Sequence, residues 1–282
     1  MGMSRAALAR TTALAMLAFA GNSLLCRLAL RGGEIDAASF TSIRLASGAA
    51  CLWLLVRLRR ERRALAGSWP AAVLLFAYAA AFSYAYLTLP ASAGALLLFG
   101  AVQASMIGFG LWRGERLAPL QWLGLLAASG GLVGLLLPGL SAPPPGGAAL
   151  MLLAGLAWGA YSLYGRGAAD AIASTAGNFV RSVALALPLS LLMWPHARVG
   201  AAGLVYALAS GIVTSGLGYV IWYRALPSLR ATSAAAVQLS VPVIAALGAV
   251  AMLGEPFTPR LLAASVAVLG GIATVIFGRR GR

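Results

Sequence analysis

The chain has 282 residues, 61% of them hydrophobic and only 10% charged, with a mean hydropathy of +0.90. That balance excludes a soluble domain of this length and implies an all-α polytopic membrane protein. A net charge of +15 would suggest nucleic acid in a soluble protein, but no basic stretch outside the apolar runs carries interleaved aromatics, so no nucleic-acid partner is expected.

A bilayer core about 30 Å thick needs roughly 20 apolar residues per helix. Ten such runs follow in order: 9–30, 37–57, 70–88, 91–112, 119–138, 147–165, 174–194, 202–223, 231–252 and 260–277. The connections are short, and proline or glycine marks them, as at Pro70, Pro90, Pro119, 143–147 and Pro259. All 21 basic residues are arginine. With the N-terminus inside, 15 of them fall in inner segments, against four outside: Arg27, Arg31, Arg198 and Arg260. The positive-inside rule therefore puts both termini in the cytoplasm, and the cell inner membrane is the expected location.

The first run imitates a signal peptide, with Arg5 and Arg10 before it and Ala18-Phe19-Ala20 resembling a cleavage site. Cys26 and Cys51 differ in depth by on the order of 15 Å, too far for a disulfide, and read as small packing residues. His196 follows Pro195 in an outer loop with no second ligand near it. No metal, cofactor or enzymatic nucleophile-base pair is expected at usable spacing.

At an offset of 140 residues the chain repeats itself: Gly114/Gly254, Glu115/Glu255, Pro119/Pro259, Ala127/Ala267, Gly130/Gly270 and Gly131/Gly271 coincide without gaps. Run one aligns with run six through Phe19/Trp158, Ser23/Ser162, Leu24/Leu163 and Arg27/Arg166, and run two with run seven through Arg44/Arg181. Each half, 1–140 and 141–282, holds five runs. Five is odd, so the second copy enters the bilayer from the opposite side, as in transporters with inverted repeats and a midplane substrate site. The matches run straight through Ala20, which argues against cleavage there.

This set of features resembles the drug/metabolite transporter superfamily, its ten-helix EamA-type members and, among them, the aromatic amino-acid exporters of the YddG type. The resemblance implies an exporter of small metabolites working by alternating access. In one respect the chain departs from the pattern: Val102 stands where the first half would match Pro242, so a proline kink is expected in run nine and not in run four.

Glu115 and Glu255 each precede a helix-opening proline and read as caps of the helix that follows, on opposite faces of the membrane. No acid falls inside a run, which argues against an organic cation and for uncoupled facilitated diffusion or exchange. Arg44 and Arg181 read as snorkelling residues or as donors to neighbouring carbonyls, with Pro242 as structural or gating residues. With neither arginine central, a strong anion is disfavoured, leaving a small neutral or zwitterionic substrate. The candidate contacts are the buried aromatic and neutral polar residues: Tyr78, Phe82, Trp158 and Tyr161 for stacking, and Asn22, Gln103, Ser162 and Gln238 for hydrogen bonds. Tyr78, Phe82 and Tyr86 share one helix face. Trp112, Tyr164, Trp194, Trp222 and Tyr223 read as an interfacial belt. Gly110/Gly114, Gly130/Gly134 and Gly155/Gly159 are small-x-x-x-small faces. Ten helices suffice to form a site in one chain, and such a face leaves a homodimer open.

Overall fold

The computed structural model describes residues 3–59, 64–114, 116–139, 142–165, 168–229 and 237–278. Glu115, Arg166 and the start of run nine, 231–236, lie outside them. The helices are α1 (Arg5–Arg31), α2 (Ala37–Arg57), α3 (Trp69–Ala85), α4 (Ala91–Trp112) and α5 (Pro119–Leu136), then α6 (Pro145–Tyr164), α7 (Ala171–Leu192), α8 (Ala201–Ser228), α9 (Ser240–Leu253) and α10 (Pro259–Phe277). Eight are long and apolar enough to cross a bilayer, while α3 and α9 are apolar but shorter. No strand occurs among the described residues beyond a single antiparallel bridge, Ile35 with Val199.

Side chains fix several helix starts. Ser4, Asp36, Ser68, Asp170 and Thr258 each accept a hydrogen bond from a first-turn N–H. Proline opens α3, α5, α6 and α10, where a missing N–H costs little. Pro242 has the opposite effect. Val237 and Gln238 are helical, Leu239 turns, and α9 begins only at Ser240, because proline offers no N–H to the carbonyl of Gln238. By contrast α4 runs unbroken through Val102.

The repeated Gly-Glu pair has a physical explanation at both elements. Gly114 and Gly254 end α4 and α9 with φ of 89° and 64°, a left-handed conformation that favours glycine. The turn at Gly254 sends Glu255 away from the helix it precedes. Thr258 caps α10, whereas the Glu255 carboxylate accepts from Ala91 N–H at 2.9 Å and Ser92 N–H at 3.4 Å and pairs with Arg27 Nε at 3.5 Å. The expected cap exists but serves α4, whose own N-cap residue, Pro90, has no side-chain donor or acceptor.

Contacts between the sequence halves hold the bundle together. Helix α2 packs on α7, α4 on α9 and α5 on α10. The remaining main pairs come in counterparts when each helix is exchanged for the one five places along: α3 on α6 with α8 on α1, α4 on α6 with α9 on α1, and α3 on α7 with α8 on α2. At the α5–α10 seam Gly124 and Gly271 face each other so closely that a Cβ on Gly124 would sit 2.6 Å from the Gly271 carbonyl. Gly155 and Gly159 likewise seat α6 against α4. Gly130 and Gly134, although similarly spaced, face open space.

Between two connecting turns Asp36 N–H donates to Arg198 O at 3.0 Å and Arg198 N–H to the Asp36 carboxylate at 2.9 Å, clipping the α1–α2 turn to the α7–α8 turn. Burial alone would raise the Asp36 carboxyl, but hydrogen bonds from Arg198 and Ser39 outweigh it and hold the group below its ordinary value. Asp36→Ala is expected to lower stability by about 1 kcal/mol in thermal unfolding of the detergent-solubilised protein, with Asp36→Asn milder. Because the folded value is lowered, this contribution is present above the unfolded value near ~3.9 and is lost as pH falls through the folded one. Glu255→Ala should cost about 1–2 kcal/mol by uncapping α4 and leaving Arg27 without its acid.

Candidate functional site

The interior of the bundle is aromatic. Tyr78 and Trp158 lie with ring centroids 4.8 Å apart, Trp158 and Tyr219 at 5.2 Å, and Tyr78 and Phe82 at 5.4 Å. Phe19 closes the cluster edge-on against Tyr219 and Trp222. These rings come from α1, α3, α6 and α8, so both halves of the chain contribute. Between them is a cavity of about 30 Å³, lined also by Asn22, Ser23, Phe99, Thr214 and Ser215. That volume holds about two water molecules at most, so the cavity is closed around less than a metabolite. A far larger space, about 940 Å³, is an apolar groove on the perimeter between α4, α9 and α10, with Pro242 in its wall. Its lining suits lipid chains and offers little to recognise a polar solute.

One hydrogen-bond network ties the cavity wall together. Asn22 Nδ2 donates to Tyr78 Oη at 3.2 Å, and Asn22 Oδ1 accepts from Ser210 Oγ at 2.7 Å and Thr214 Oγ1 at 3.2 Å. Arg44 Nη2 donates to the same Tyr78 oxygen at 3.1 Å and Arg44 Nε to Ser215 Oγ at 3.3 Å. The Arg44 guanidinium also stands over the rings of Tyr78 and Phe82, 5.2 and 5.1 Å from their centroids. At 1% exposure Arg44 is among the most deeply buried large side chains. It therefore does not snorkel, contrary to the expectation from its depth in the sequence. Nor does the interior lack a central arginine, so the argument against anions based on that lack falls away. Its neighbours account for the burial: Gly211 rests against the Arg44 backbone carbonyl with no room for a Cβ, and Ser215 of the same helix and Tyr78 and Phe82 of α3 lie against the guanidinium.

Arg181 is engaged differently. Its Nη1 donates to the carbonyls of Ala66 and Gly177, both at 2.9 Å, pinning the segment before α3 onto α7. The repeat-related arginines thus have different environments.

The structure brings Asn22, Tyr78, Phe82 and Trp158 to the cavity wall and leaves the other expected contacts outside it. Tyr161 packs on Trp158 at 5.5 Å and accepts from Asn178 Nδ2 at 3.4 Å, one layer behind. Ser162 donates to the Trp158 carbonyl within α6. Gln103 is buried on α4 and Gln238 half-buried before α9, and neither lines the cavity. Sequence reasoning missed Ser210, Thr214 and Ser215, small hydroxyls in an apolar run. They enter on a π-helical stretch of α8, Ser210–Leu217, a local widening common at functional sites. Trp222, assigned to the interfacial belt, is instead buried against Phe19, whereas Trp112, Tyr164 and Trp194 are exposed on the perimeter.

The profile of the EamA-like transporter family matches residues 145–277, which span α6 to α10. Over 272 residues the chain is 59% identical to an uncharacterized protein of Pseudomonas aeruginosa, PA1977, covering 96% of this chain and 95% of that one. The chain belongs to the EamA-like transporter family. A protein crystal structure 20% identical in sequence matches 99% of this chain and 100% of its own with a TM-score of 0.69, a likeness of fold alone. In this EamA-like chain, four of the eight candidate substrate contacts converge on one central cavity.

Asn22 is the hub of that cavity, since removing it strands hydroxyls on α3 and α8 together. Asn22→Leu is expected to lower thermal stability by roughly 1–3 kcal/mol, measured by unfolding in detergent, because Tyr78, Ser210 and Thr214 lose a buried partner.

Proposed function

We propose that the protein is a multi-pass carrier of the cell inner membrane, with both termini cytoplasmic, which exports small neutral or zwitterionic metabolites, aromatic amino acids among them. The observation that carries this reading is the closed cavity at the junction of α1, α3, α4, α6 and α8, walled by aromatic rings and neutral polar groups from both halves. Rings of Tyr78, Trp158 and Tyr219 offer stacking faces, and Asn22, Thr214 and Ser215 offer hydrogen bonds. Halves 1–140 and 141–282 act as inverted repeats that rock about this site, so that it opens to one side at a time. The counterpart pairing of helices supports that motion, as does the break before Pro242. With α4 continuous and α9 broken, the bending is concentrated in the second half.

Transport is uncoupled to protons. The described acids, Glu34, Asp36, Asp170 and Glu255, all stand outside the ten helices, so none of them can alternate between proton and substrate inside the membrane. Gradients then set the direction. A single chain supplies the whole cavity, so a monomer suffices.

Uptake of labelled phenylalanine into proteoliposomes, with and without excess unlabelled substrate on the far side, tests the reading. Counterflow accumulation of label is expected, and Trp158→Ala should reduce the rate on the order of 10-fold by removing a stacking face. Linear, non-saturable flux that ignores Trp158→Ala would indicate a passive pore instead. Substrate-dependent acidification recorded by an internal pH dye would overturn the uncoupled mechanism.

A further inference from the structure

Arg44 carries a charge that the described structure does not balance. It is 1% exposed, and no acid stands within the ten helices among the described residues. The neutral groups that it touches, Tyr78, Phe82 and Ser215, use its Nε and Nη2 and two ring faces, but Nη1 is buried with no hydrogen-bond partner. A lone buried guanidinium is costly in an apolar interior, and its cost falls when an anion arrives. Arg44 does not itself line the cavity. It stands directly behind three residues that do: Tyr78, Phe82 and Ser215.

Donor accounting shows what those residues present to the cavity. Arginine can only donate, so its bonds occupy acceptor lone pairs on Tyr78 Oη and Ser215 Oγ. Tyr78 Oη accepts a second bond from Asn22 Nδ2. The proton of each hydroxyl is then left for a third group, and both residues face the cavity. Two O–H donors polarised by one guanidinium, with an aromatic wall beside them, form a receptor for an oxyanion attached to a flat apolar body.

We propose that Arg44, acting through Tyr78 and Ser215, makes this cavity select substrates by their carboxylate, with an aromatic or apolar remainder stacked on Tyr78 and Trp158. This rests on the cavity reading above and amends its substrate range: a carboxylate is required, whereas the ammonium of an amino acid is not, so solutes without a carboxylate are excluded and monoanionic carboxylates are admitted. Arg44 is a positioning residue in the closed form, since it polarises groups that meet the substrate. The same charge could be met by inorganic chloride, so the test separates the two sources.

Thermal unfolding of the purified full-length protein would be followed with four probes sharing one ring: phenylalanine, 3-phenylpropionate, phenylalanine methyl ester and phenethylamine. Each would be titrated in a low-salt buffer free of chloride and of carboxylates, and again with chloride added. The two carboxylates are expected to stabilise the wild type with apparent affinities at least about 10-fold tighter than the ester and the amine. Arg44→Gln should erase that preference, and Tyr78→Phe and Ser215→Ala, which each remove only one hydroxyl, should reduce it even if Arg44→Gln does not fold. Trp158→Ala should weaken all binding while preserving the preference. Equal stabilisation by all four probes in the wild type would overturn the carboxylate assignment and leave the cavity reading standing. Stabilisation by chloride alone, abolished in Arg44→Gln, would make the arginine an inorganic-anion site and overturn it as well. Should none of the four probes stabilise the wild type in either buffer, the cavity reading fails together with this inference.

Discussion

Hydrocarbon supplies no hydrogen bonds, so every helix end near the membrane core must find its partners within the chain. This protein solves the problem across its two halves. Glu255, from the loop after α9, caps α4, and three arginines serve helix C-termini: Arg27 donates to the carbonyls of Tyr86 and Leu87, Arg31 to Leu253, and Arg260 to Gly134 and Leu137. Cations at helix C-termini also complement the helix dipole. Arg27, Arg31 and Arg260 are therefore bolts between helices. In the turn before α7, Asp170 both caps that helix and meets Arg59 at 3.0 Å.

With the ends fastened, the middle of the bundle can be loose enough to work. Glycine-to-glycine contact at α5–α10 and the glycine seat of α6 on α4 bring backbones together with little side-chain interdigitation. The aromatic cluster fills the space left between α1, α3, α6 and α8. Its cavity is too small for a metabolite, so occupancy requires the walls to separate, and the network from Ser210 through Asn22 and Tyr78 to Arg44 spans the helices that must part.

Symmetry governs the scaffold and not the chemistry. Val102 and Pro242 occupy related positions, yet α4 is continuous whereas a turn at Leu239 interrupts the helix three residues before Pro242. Arg44 and Arg181 are related too, but one is buried among aromatic and hydroxyl groups and the other bonds backbone carbonyls. A duplicated chain can keep its packing pattern while a few positions diverge, because packing tolerates similar volumes and a buried charge tolerates no change of surroundings.

Local and periodic signals determined the ten helices, their proline and glycine boundaries and the internal repeat, because span length and turn chemistry depend on residues close in sequence. Trp158, Tyr78, Phe82 and Asn22 were also legible as candidates, since polar and aromatic groups deep in apolar runs are conspicuous. Only the tertiary structure decided which helix Glu255 caps, that Trp222 turns inward, and that Ser210, Thr214 and Ser215 join Asn22. It alone decided the state of Arg44. Depth along a helix gives a residue's distance from the interface, but whether its charge reaches water depends on which neighbours lie against it, and Ser215 on α8, which accepts from its Nε, lies 171 residues away in the chain.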